Sequence, residues 1–210
     1  MATELPSKEF ELRDGGSLLY APAFLPAAEA DALFALLRDT VPWNQEGRPP
    51  RMFPRLTAWY ANPGVTYSYS GVTHQAVPWT AELLDVKHRA ETAAGATWNS
   101  LLLNFYRHGK DSIGFHADDE AELGTNPVIG SISLGAERRF VMKHVASGEK
   151  LEFTLPHGSL LVMGGTSQHH WRHGVPKTQK PVGPRINLTF RRILGAGFDE
   201  QEIRPRACRD

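Results

Sequence analysis

The chain has 210 residues, of which 41% are apolar and 22% are charged, and this is the composition of a globular protein with one well-buried core. Its formal net charge is zero, which excludes a global electrostatic field that would attract nucleic acid or an anionic membrane. One cysteine, Cys208, excludes an intrachain disulfide framework and favours a reducing, cytoplasmic location. The sequence has neither the apolar run of a signal peptide nor the roughly 20 apolar residues of a membrane span, so we expect no membrane contact.

The first half of the chain predicts two helices among loops and short strands. Residues 1–16 are polar and predict a loose lead-in, and residues 18–24 predict a short strand. One helix is expected from Pro26 to about Thr40, and a second from Thr80 to about Ala94 with Thr80 as its N-cap. Between the helices, the four prolines of residues 42–54 predict an irregular loop, which precedes strands at 56–60 and 65–70.

The second half predicts strands almost without interruption. Turn residues separate seven strand-like segments, at 98–107, 128–134, 138–144, 150–155, 159–163, 168–174 and 185–193. Helices followed by many short strands predict the α+β class, with the strand-rich half closed as a sandwich or jelly roll. We expect a single domain over residues 1–210, in which residues 98–195 form the core.

Two candidate metal ligands lie two residues apart, at His116 and Asp118. Side chains alternate along an extended segment, so this imidazole and this carboxylate point to the same face. Together they make two-thirds of a facial triad, whose three open positions let iron bind O2 and a co-substrate together. A His-x-Asp pair by itself is a weak signal, however.

The third ligand is expected to be a histidine on a neighbouring strand. Residues 168–174 contain three candidates. In a regular strand His169 and His173 share a face, whereas His170 faces away. Sequence spacing does not choose between His169 and His173.

The segment from Arg185 to Arg191 alternates strictly between polar and apolar residues. One face carries Arg185, Asn187, Thr189 and Arg191, and the other carries Ile186, Leu188 and Phe190. Two arginines inside a barrel are costly unless an anion neutralises them, and a dicarboxylate would do so through bidentate hydrogen bonds. The alternative is an outer strand with a solvated polar face.

Asn104 and Tyr106 share one face of another alternating segment, residues 101–107. They could donate neutral hydrogen bonds to the same anion. The alternative is a buried pair that the backbone satisfies.

Taken together and in this order, these segments resemble the AlkB-type Fe(II)/2-oxoglutarate-dependent dioxygenases, which are nucleic-acid oxidative dealkylases. The resemblance covers roughly residues 54–193. It rests on the Asn-x-Tyr strand, the His-x-Asp pair, the His-x-x-Pro at residues 173–176 and the Arg-x-Asn-Leu-Thr-Phe-Arg strand. It implies a double-stranded β-helix (jelly roll) with the N-terminal helices packed on one sheet.

The resemblance also implies the roles of the core residues. Fe(II) is expected on His116, Asp118 and His173, with 2-oxoglutarate and O2 as co-substrates. The distal carboxylate of 2-oxoglutarate is expected to pair with Arg185, helped by Tyr106 and Asn187. Its metal-bound end is expected near Asn104 and Arg191.

The implied activity is oxidative demethylation of N-alkylated bases, such as 1-methyladenine and 3-methylcytosine, in DNA. Formaldehyde is released while 2-oxoglutarate is decarboxylated to succinate, which makes the expected role repair of DNA alkylation damage. The same chemistry on RNA, a protein or a small molecule is the alternative. A non-catalytic damage-recognition module is a further alternative, but the complete set of iron and 2-oxoglutarate residues argues against it.

Four residues are candidates for holding the flipped base, which must leave the stack to reach the metal. Residues 64–71 resemble the nucleotide-recognition lid of the family, which makes Tyr67 and Tyr69 stacking candidates, the alternative being a pair of core tyrosines. Glu120 matches an acidic residue that contacts the base, and Arg55 matches an arginine near the same pocket.

Two segments depart from the relatives that prefer duplex DNA. Residues 45–48 lack the bulky apolar wedge that those relatives insert, although Met52 and Phe53 lie nearby. Residues 145–150 replace a long basic hairpin with a short turn of little charge. We therefore expect methylated single-stranded DNA to be the favoured substrate, with RNA as a second possible polymer. We also expect the protein to be a monomer.

Overall fold

The structure is a computed structural model that describes residues 7–69, 72–74 and 76–195, without the side chains of residues 67–69 and 72–74. The helices are α1 (Ala27–Thr40), α2 (Ala81–Ala94) and α3 (Ser167–His170). The strands of the first half are β1 (Lys8–Glu11), β2 (Gly16–Ala21), β3 (Gly47–Arg48), β4 (Arg51–Met52), β5 (Leu56–Ala61), β6 (Tyr67–Tyr69) and β7 (Val72–His74). Those of the second half are β8 (Ser100–Tyr106), β9 (Ile113–His116), β10 (Ile129–Gly135), β11 (Arg138–His144), β12 (Lys150–Leu155), β13 (Ser159–Gly165), β14 (Trp171–Val175) and β15 (Arg185–Arg191).

Two antiparallel sheets make the body of the fold. The major sheet has seven strands in the order β1-β2-β13-β10-β15-β8-β5, and the minor sheet has four in the order β12-β11-β14-β9. The pairs β3–β4 and β6–β7 form separate two-stranded hairpins. This is the sandwich that the strand-rich half predicts, and its interior is where buried polar side chains from both sheets can meet.

The major sheet is covered on one face by the helices. Its apolar cluster joins α1, α2 and strands β15 and β8 through Leu33, Leu83, Leu101, Leu103, Ile186, Leu188 and Phe190. A second cluster joins the opposite face to the minor sheet through Tyr106, Ile129, Leu161, Met163, Phe140, Met142, Trp171 and Val175. The polar face of β15 therefore lies between the sheets, and all seven of its residues are buried, which excludes a solvated outer strand.

Both predicted helices are confirmed, with bounds close to those expected. The Oγ1 of Thr80 accepts a hydrogen bond from the Leu83 N–H at 3.3 Å, so Thr80 is the N-cap of α2. Gly95 ends the same helix in the left-handed conformation, at φ 60°. None of the helices in the described part of the chain has the length and apolarity needed to cross a bilayer.

Three predicted elements were wrong in detail. Within the expected lead-in, β1 pairs with β2 at the edge of the major sheet. Within the expected irregular loop, β3 and β4 form a small hairpin. Residues 168–170 belong to the helical turn α3, because the N–H groups of His169 and His170 both donate to the Thr166 carbonyl. The strand that was expected from residue 168 therefore begins at Trp171.

Candidate active site

The minor sheet brings two histidines and an aspartate together. His116 on β9 lies directly across from His173 on β14, and their ring centroids are 4.4 Å apart. Asp118 follows two residues after His116, and its Oδ2 lies 3.6 Å from Nε2 of His173. One ligand atom from each of the three lies within 4.8 Å of the others, which is an arrangement that can hold a metal ion.

The structure separates His169 from this group. Because α3 is helical, successive side chains turn by about 100° instead of alternating, and the shared face with His173 is lost. Nε2 of His169 instead meets the Thr125 carbonyl and lies 3.0 Å from Oδ1 of Asn126. The structure therefore brings His173, and not His169, to His116 and Asp118, because of a backbone turn that the alternating pattern did not reveal.

The hydrogen bonds around His116 and Asp118 leave one atom of each side chain available to bind a cation. Nδ1–H of His116 donates to the Gly114 carbonyl at 2.9 Å, which leaves the lone pair of Nε2 free to bind a metal. Oδ2 of Asp118 is buried and has no hydrogen-bond partner among the described residues. A buried carboxylate oxygen without a donor is costly, and a divalent ion would compensate it. The residues present therefore fit Fe(II).

The charge states also suit metal binding. Burial is the largest influence and by itself would raise the pKa of Asp118, but the charge and hydrogen bond of Arg191, together with His173 and His116, outweigh it, so the pKa lies below its ordinary value. Burial lowers the pKa of His173 to about 3, and His116 adds to this effect. The aspartate is therefore charged and the imidazole neutral, which are the forms that bind metals.

Gln168 is a site residue that the sequence did not single out. Its Oε1 accepts the backbone N–H of Asp118 at 2.9 Å, and its Nε2 lies 3.4 Å from Oγ of Ser167. The turn α3 brings this buried amide between the sheets. The sequence contained a signal for this residue, since Gln168 stands next to three histidines. The predicted strand gave the wrong direction for its side chain, because residues 168–170 belong to a helical turn.

Arg185 is a buried cation with unused donors. It is 1% exposed, and its Nη2 donates to Oγ of Ser133 at 2.7 Å. Its Nε and Nη1 have no hydrogen-bond partner among the described residues. Burial lowers its pKa to about 10, although Tyr106, whose ring lies 5.2 Å away, acts in the opposite direction. The site therefore favours an anion that would accept the remaining N–H groups.

Arg138 is a second buried arginine at the same tyrosine, and the sequence did not single it out either. Its Nη2 donates to the carbonyls of Asp111 and Pro176, at 2.9 and 2.8 Å. Its guanidinium lies 5.6 Å from the ring centroid of Tyr106. Backbone oxygens thus satisfy Arg138, which leaves Arg185 as the better anchor for an anion.

The amides on the neighbouring strands are largely engaged within the protein. Nδ2 of Asn187 donates to Oγ of Ser131 and to the Ile132 carbonyl, both at 2.9 Å, and its Oδ1 accepts from Thr189. Asn104 lies directly across from Asn187 on β8. Strand pairing thus places both predicted amides on the face that carries Arg185, with Asn187 bonded to β10.

The structure describes the side chains of two of the four candidates for the base pocket, Arg55 and Glu120. Nε of Arg55 donates to Oδ1 of Asn104 at 2.6 Å, so this arginine joins the amide that was expected near 2-oxoglutarate. Oε2 of Glu120 is buried and has no hydrogen-bond partner among the described residues. The backbones of Tyr67 and Tyr69 lie on the β6–β7 hairpin, but their side chains are outside the described part.

Comparison with known proteins agrees with this geometry. The 2OG-Fe(II) oxygenase superfamily model matches residues 17–191. The alpha-ketoglutarate-dependent dioxygenase alkB homolog 3 of Homo sapiens is 41% identical over 186 residues, which cover 82% of this chain and 64% of that protein. The DNA oxidative demethylase ALKBH2 of Homo sapiens is 41% identical over 183 residues, and the match covers 80% of this chain and 70% of that protein.

A solved structure extends the agreement to the fold. "The structure of OsALKBH1" superposes with a TM-score of 0.61 at 21% identity, and it covers 86% of this chain and 99% of that one. A jelly-roll sandwich with a His-Asp-His group between its sheets defines the class as a non-haem iron oxygenase fold. The chain belongs to the 2OG-Fe(II) oxygenase superfamily and, within it, to the AlkB homologues. The resemblance, the fold class and the expected Fe(II), 2-oxoglutarate and O2 are thereby confirmed.

Proposed function

We propose that this chain removes methyl groups oxidatively from N-alkylated bases of the 1-methyladenine and 3-methylcytosine type in DNA, as repair of alkylation damage. One observation carries the proposal: the His116–Asp118–His173 group, in which Asp118 and His173 are buried, belongs to one side of the sandwich, and the facing sheet carries a buried arginine, Arg185, with donors that are unused among the described residues. DNA as the substrate is supported by relatives such as the DNA oxidative demethylase ALKBH2 of Arabidopsis thaliana, which is 36% identical over 237 residues.

The proposed reaction assigns separate tasks to the residues of the site. His116, Asp118 and His173 hold Fe(II), and Arg185 binds the distal carboxylate of 2-oxoglutarate. When bound, Fe(II) and 2-oxoglutarate supply the oxygen chemistry that hydroxylates the N-methyl carbon, with succinate and CO2 as co-products. Arg191 donates to Oδ1 of Asp118, which leaves Oδ2 to face the metal.

The base pocket is proposed to take a cationic base. The buried Oε2 of Glu120 is available to accept a hydrogen bond and to compensate positive charge. Tyr67 and Tyr69 on the β6–β7 hairpin are proposed as stacking residues. Arg55 is proposed to orient Asn104 at the border between the base pocket and the 2-oxoglutarate site.

The proposed partner is methylated DNA, with single strands preferred and RNA as a second polymer. Two features support the preference for single strands. Residues 145–148 make a tight turn, closed by the Gly148 N–H donating to the His144 carbonyl at 3.0 Å, and carry no long basic hairpin. Residues 45–48, which include β3, contain no bulky apolar side chain that could act as a wedge in a duplex. We further propose one monomeric dioxygenase domain in the cytoplasm, in line with a single cysteine among 210 residues.

The proposal is tested by incubating the protein with a single-stranded oligonucleotide that contains 3-methylcytosine, together with Fe(II), ascorbate and 2-oxoglutarate. Cytosine, formaldehyde and succinate are expected in equal amounts. Duplex and RNA oligonucleotides of the same sequence measure the polymer preference. The absence of repair, with succinate formed only when a different substrate is added, would refute the proposed substrate and keep the class of enzyme.

A further inference from the structure

A second group of metal-binding side chains lies outside the candidate active site. One ligand atom from each of Asp14, His144 and His170 lies within 4.8 Å of the others. Asp14 belongs to the turn between β1 and β2, His144 ends β11, and His170 ends α3. Segments more than 100 residues apart in sequence thus converge on one point, and none of the three residues belongs to the His116–Asp118–His173 group.

His144 is the observation that points to a ligand. The residue is 1% exposed, and its Nε2 makes no hydrogen bond of acceptable geometry among the described residues. Oδ2 of Asp14 lies only 2.8 Å from that nitrogen. A buried nitrogen that faces a carboxylate without a well-directed hydrogen bond is expected to be compensated by a proton or by a cation.

The backbone holds Asp14 in an unusual conformation over this histidine. Its φ of 61° makes it the one non-glycine residue in the left-handed region among the described residues. Such a conformation persists only when the surrounding structure enforces it. Here Oγ1 of Thr166 donates to the Asp14 carbonyl, and the Thr166 N–H donates to the Gly15 carbonyl at 3.2 Å.

The same residue, Thr166, also places His170. The Thr166 carbonyl accepts the His170 N–H at 3.3 Å, and the Val145 N–H donates to the His170 carbonyl at 2.8 Å. The three ligand side chains are therefore linked through short backbone contacts. This is a rigid arrangement of the kind that metal sites require.

We propose that Asp14, His144 and His170 form a second metal site, which binds a divalent first-row transition ion and for which Zn²⁺ is the best fit. Two imidazoles and one carboxylate are a common zinc ligand set, with water completing four-coordination. Ligand distances of about 2.0–2.2 Å imply separations of roughly 3.3–3.6 Å between ligand atoms. Oδ2 of Asp14, which lies 2.8 Å from Nε2 of His144, must therefore move away from it slightly, and no pair has to approach by more than about 1.5 Å, since all three atoms lie within 4.8 Å of one another. Asp14 can supply this movement because its side chain is 49% exposed.

Ser147 supplies the outer partner that a metal-bound imidazole needs. Its hydroxyl oxygen lies 2.9 Å from Nδ1 of His144, closer than its backbone nitrogen at 3.1 Å. In the metal-bound form the hydroxyl accepts Nδ1–H, and the lone pair of Nε2 is then directed to the ion. Without metal, the Ser147 N–H donates to Nδ1, and the proton resides on Nε2 beside Asp14.

The bound ion would act on structure and not on the proposed reaction. It would tie the β1–β2 turn to the end of β11 and to α3, which also carries Gln168, the partner of Asp118. Its ligands come from Asp14 and two histidines outside the iron group, so its occupancy is measurable with that group disabled. Failure of this proposal would leave the proposed demethylase function untouched.

The test is a Co²⁺ titration of tag-free protein from which metal has been removed. The intact chain is expected to bind two equivalents, and the His116→Ala/His173→Ala double variant one. The remaining ion should show the strong visible absorption of a four-coordinate Co²⁺ site. His170→Ala and Asp14→Asn should each weaken that second binding step at least about 10–100-fold, the loss that even an outer partner causes.

His169→Ala is the matched control, because this neighbouring histidine lies outside the group of three. It should bind both equivalents as the intact chain does. No bound Co²⁺ in the His116→Ala/His173→Ala variant would overturn the proposal, as would unchanged second-site binding in both His170→Ala and Asp14→Asn. Asp14 and His170 are not fully buried, so both variants should fold, and an unchanged thermal midpoint in chelator checks this.

Discussion

Arg185 and Arg191 lie on the same face of one strand, but their surroundings give them different tasks. Arg191 donates to the Asp118 carboxylate and so holds in place the carboxylate that we propose as a metal ligand. Arg185 has no carboxylate partner among the described residues: its Nη2 donates to the neutral hydroxyl of Ser133, and its guanidinium lies over the Tyr106 ring. Since an uncompensated buried guanidinium is costly, Arg185 is the arginine that we expect to bind an anion.

Arg185→Ala is therefore expected to raise the KM for 2-oxoglutarate sharply. Removal of one member of a buried, hydrogen-bonded charge pair costs about 2 kcal/mol or more, which corresponds to at least about 30-fold. The measurement is turnover as a function of 2-oxoglutarate concentration. Arg172→Ala, which removes an exposed arginine on β14, is the control and should leave the KM unchanged. An unaltered KM in Arg185→Ala would contradict the anion role.

His169 lies in the helical turn α3, whereas His173 lies on strand β14, so the backbone directs their side chains to different places. His173 is buried across from His116, whereas His169 ends in contacts with Thr125 and Asn126. We expect His173→Ala to abolish turnover and to lose the metal of the active site. His169→Ala should keep both, as measured by activity and by metal content, and the reverse pattern would show that the wrong histidine was chosen.

Gln168 acts through Asp118 and is a positioning residue. Gln168→Leu removes the acceptor of the Asp118 N–H and leaves a buried donor unpaired. We expect about 10–100-fold weaker metal binding by the active site, with the KM for 2-oxoglutarate little changed at saturating metal. A Co²⁺ titration of the variant checks the first expectation. Intact metal affinity with reduced thermal stability would show that Gln168 serves packing alone.

At the scale of elements, the predicted helices and central strands are correct because their patterns are long and internally consistent. The α2 helix combines a threonine N-cap with a left-handed glycine at its end, and β15 alternates over all seven residues. The short elements were missed. The turn α3 has four residues, and β3 and β4 have two each, so tertiary contacts and not periodicity decide their conformation.

The β3–β4 hairpin is the element that we expect to contact the nucleic-acid backbone. Arg48 and Arg51 are exposed and directly paired across it, and the hairpin leads into β5 and the buried Arg55. Arg48→Glu/Arg51→Glu should weaken oligonucleotide binding and reduce the slope of log K against log salt by about 1–2. Fluorescence anisotropy at several salt concentrations measures this. Arg38→Glu, on α1, is the control and should leave the slope unchanged.

At the scale of the whole molecule, the ligands of the site are part of its stability. Within the part of the chain that the structure describes, the sandwich encloses an incompletely bonded arginine, Arg185, and a carboxylate oxygen of Asp118 without a donor, and both groups are costly to bury uncompensated. Ions and co-substrate that bind the folded state alone stabilise it by mass action. Occupation of the site should therefore raise the melting temperature as well as support turnover.

Mn²⁺ and 2-oxoglutarate, each at roughly 100 times its Kd, are expected to stabilise the fold by about 2.7 kcal/mol per site. For a chain of this size this corresponds to an increase in Tm of about 5–10 °C for one ligand. Differential scanning fluorimetry with and without EDTA measures the effect. Asp118→Ala should reduce the response to Mn²⁺ to the part that comes from the Asp14–His144–His170 group, and Asp118→Ala/His170→Ala should abolish it. An undiminished response in Asp118→Ala would place the stabilising ion outside the active site.

The sequence by itself determined the family and the class of fold, and it predicted most of the polar side chains that lie between the two sheets. These features depend on the alternation of polar and apolar residues within short segments of the chain. His116 with Asp118, and Arg185 with Arg191, share faces through the two-residue period of a strand, whatever the rest of the chain does. The sequence motifs of the AlkB-type family could be recognised for the same reason, since each of them lies within one short segment of the chain.

The tertiary structure alone decided which distant groups meet. It placed Gln168 on the Asp118 N–H, paired Arg55 with Asn104, separated His169 from His173 and brought Asp14 to His144. These contacts join segments that are up to 130 residues apart, and those of Gln168, His169 and Asp14 depend on short turns that have no period of their own. No local pattern encodes such contacts, since sheet pairing and backbone hydrogen bonds between remote segments set them.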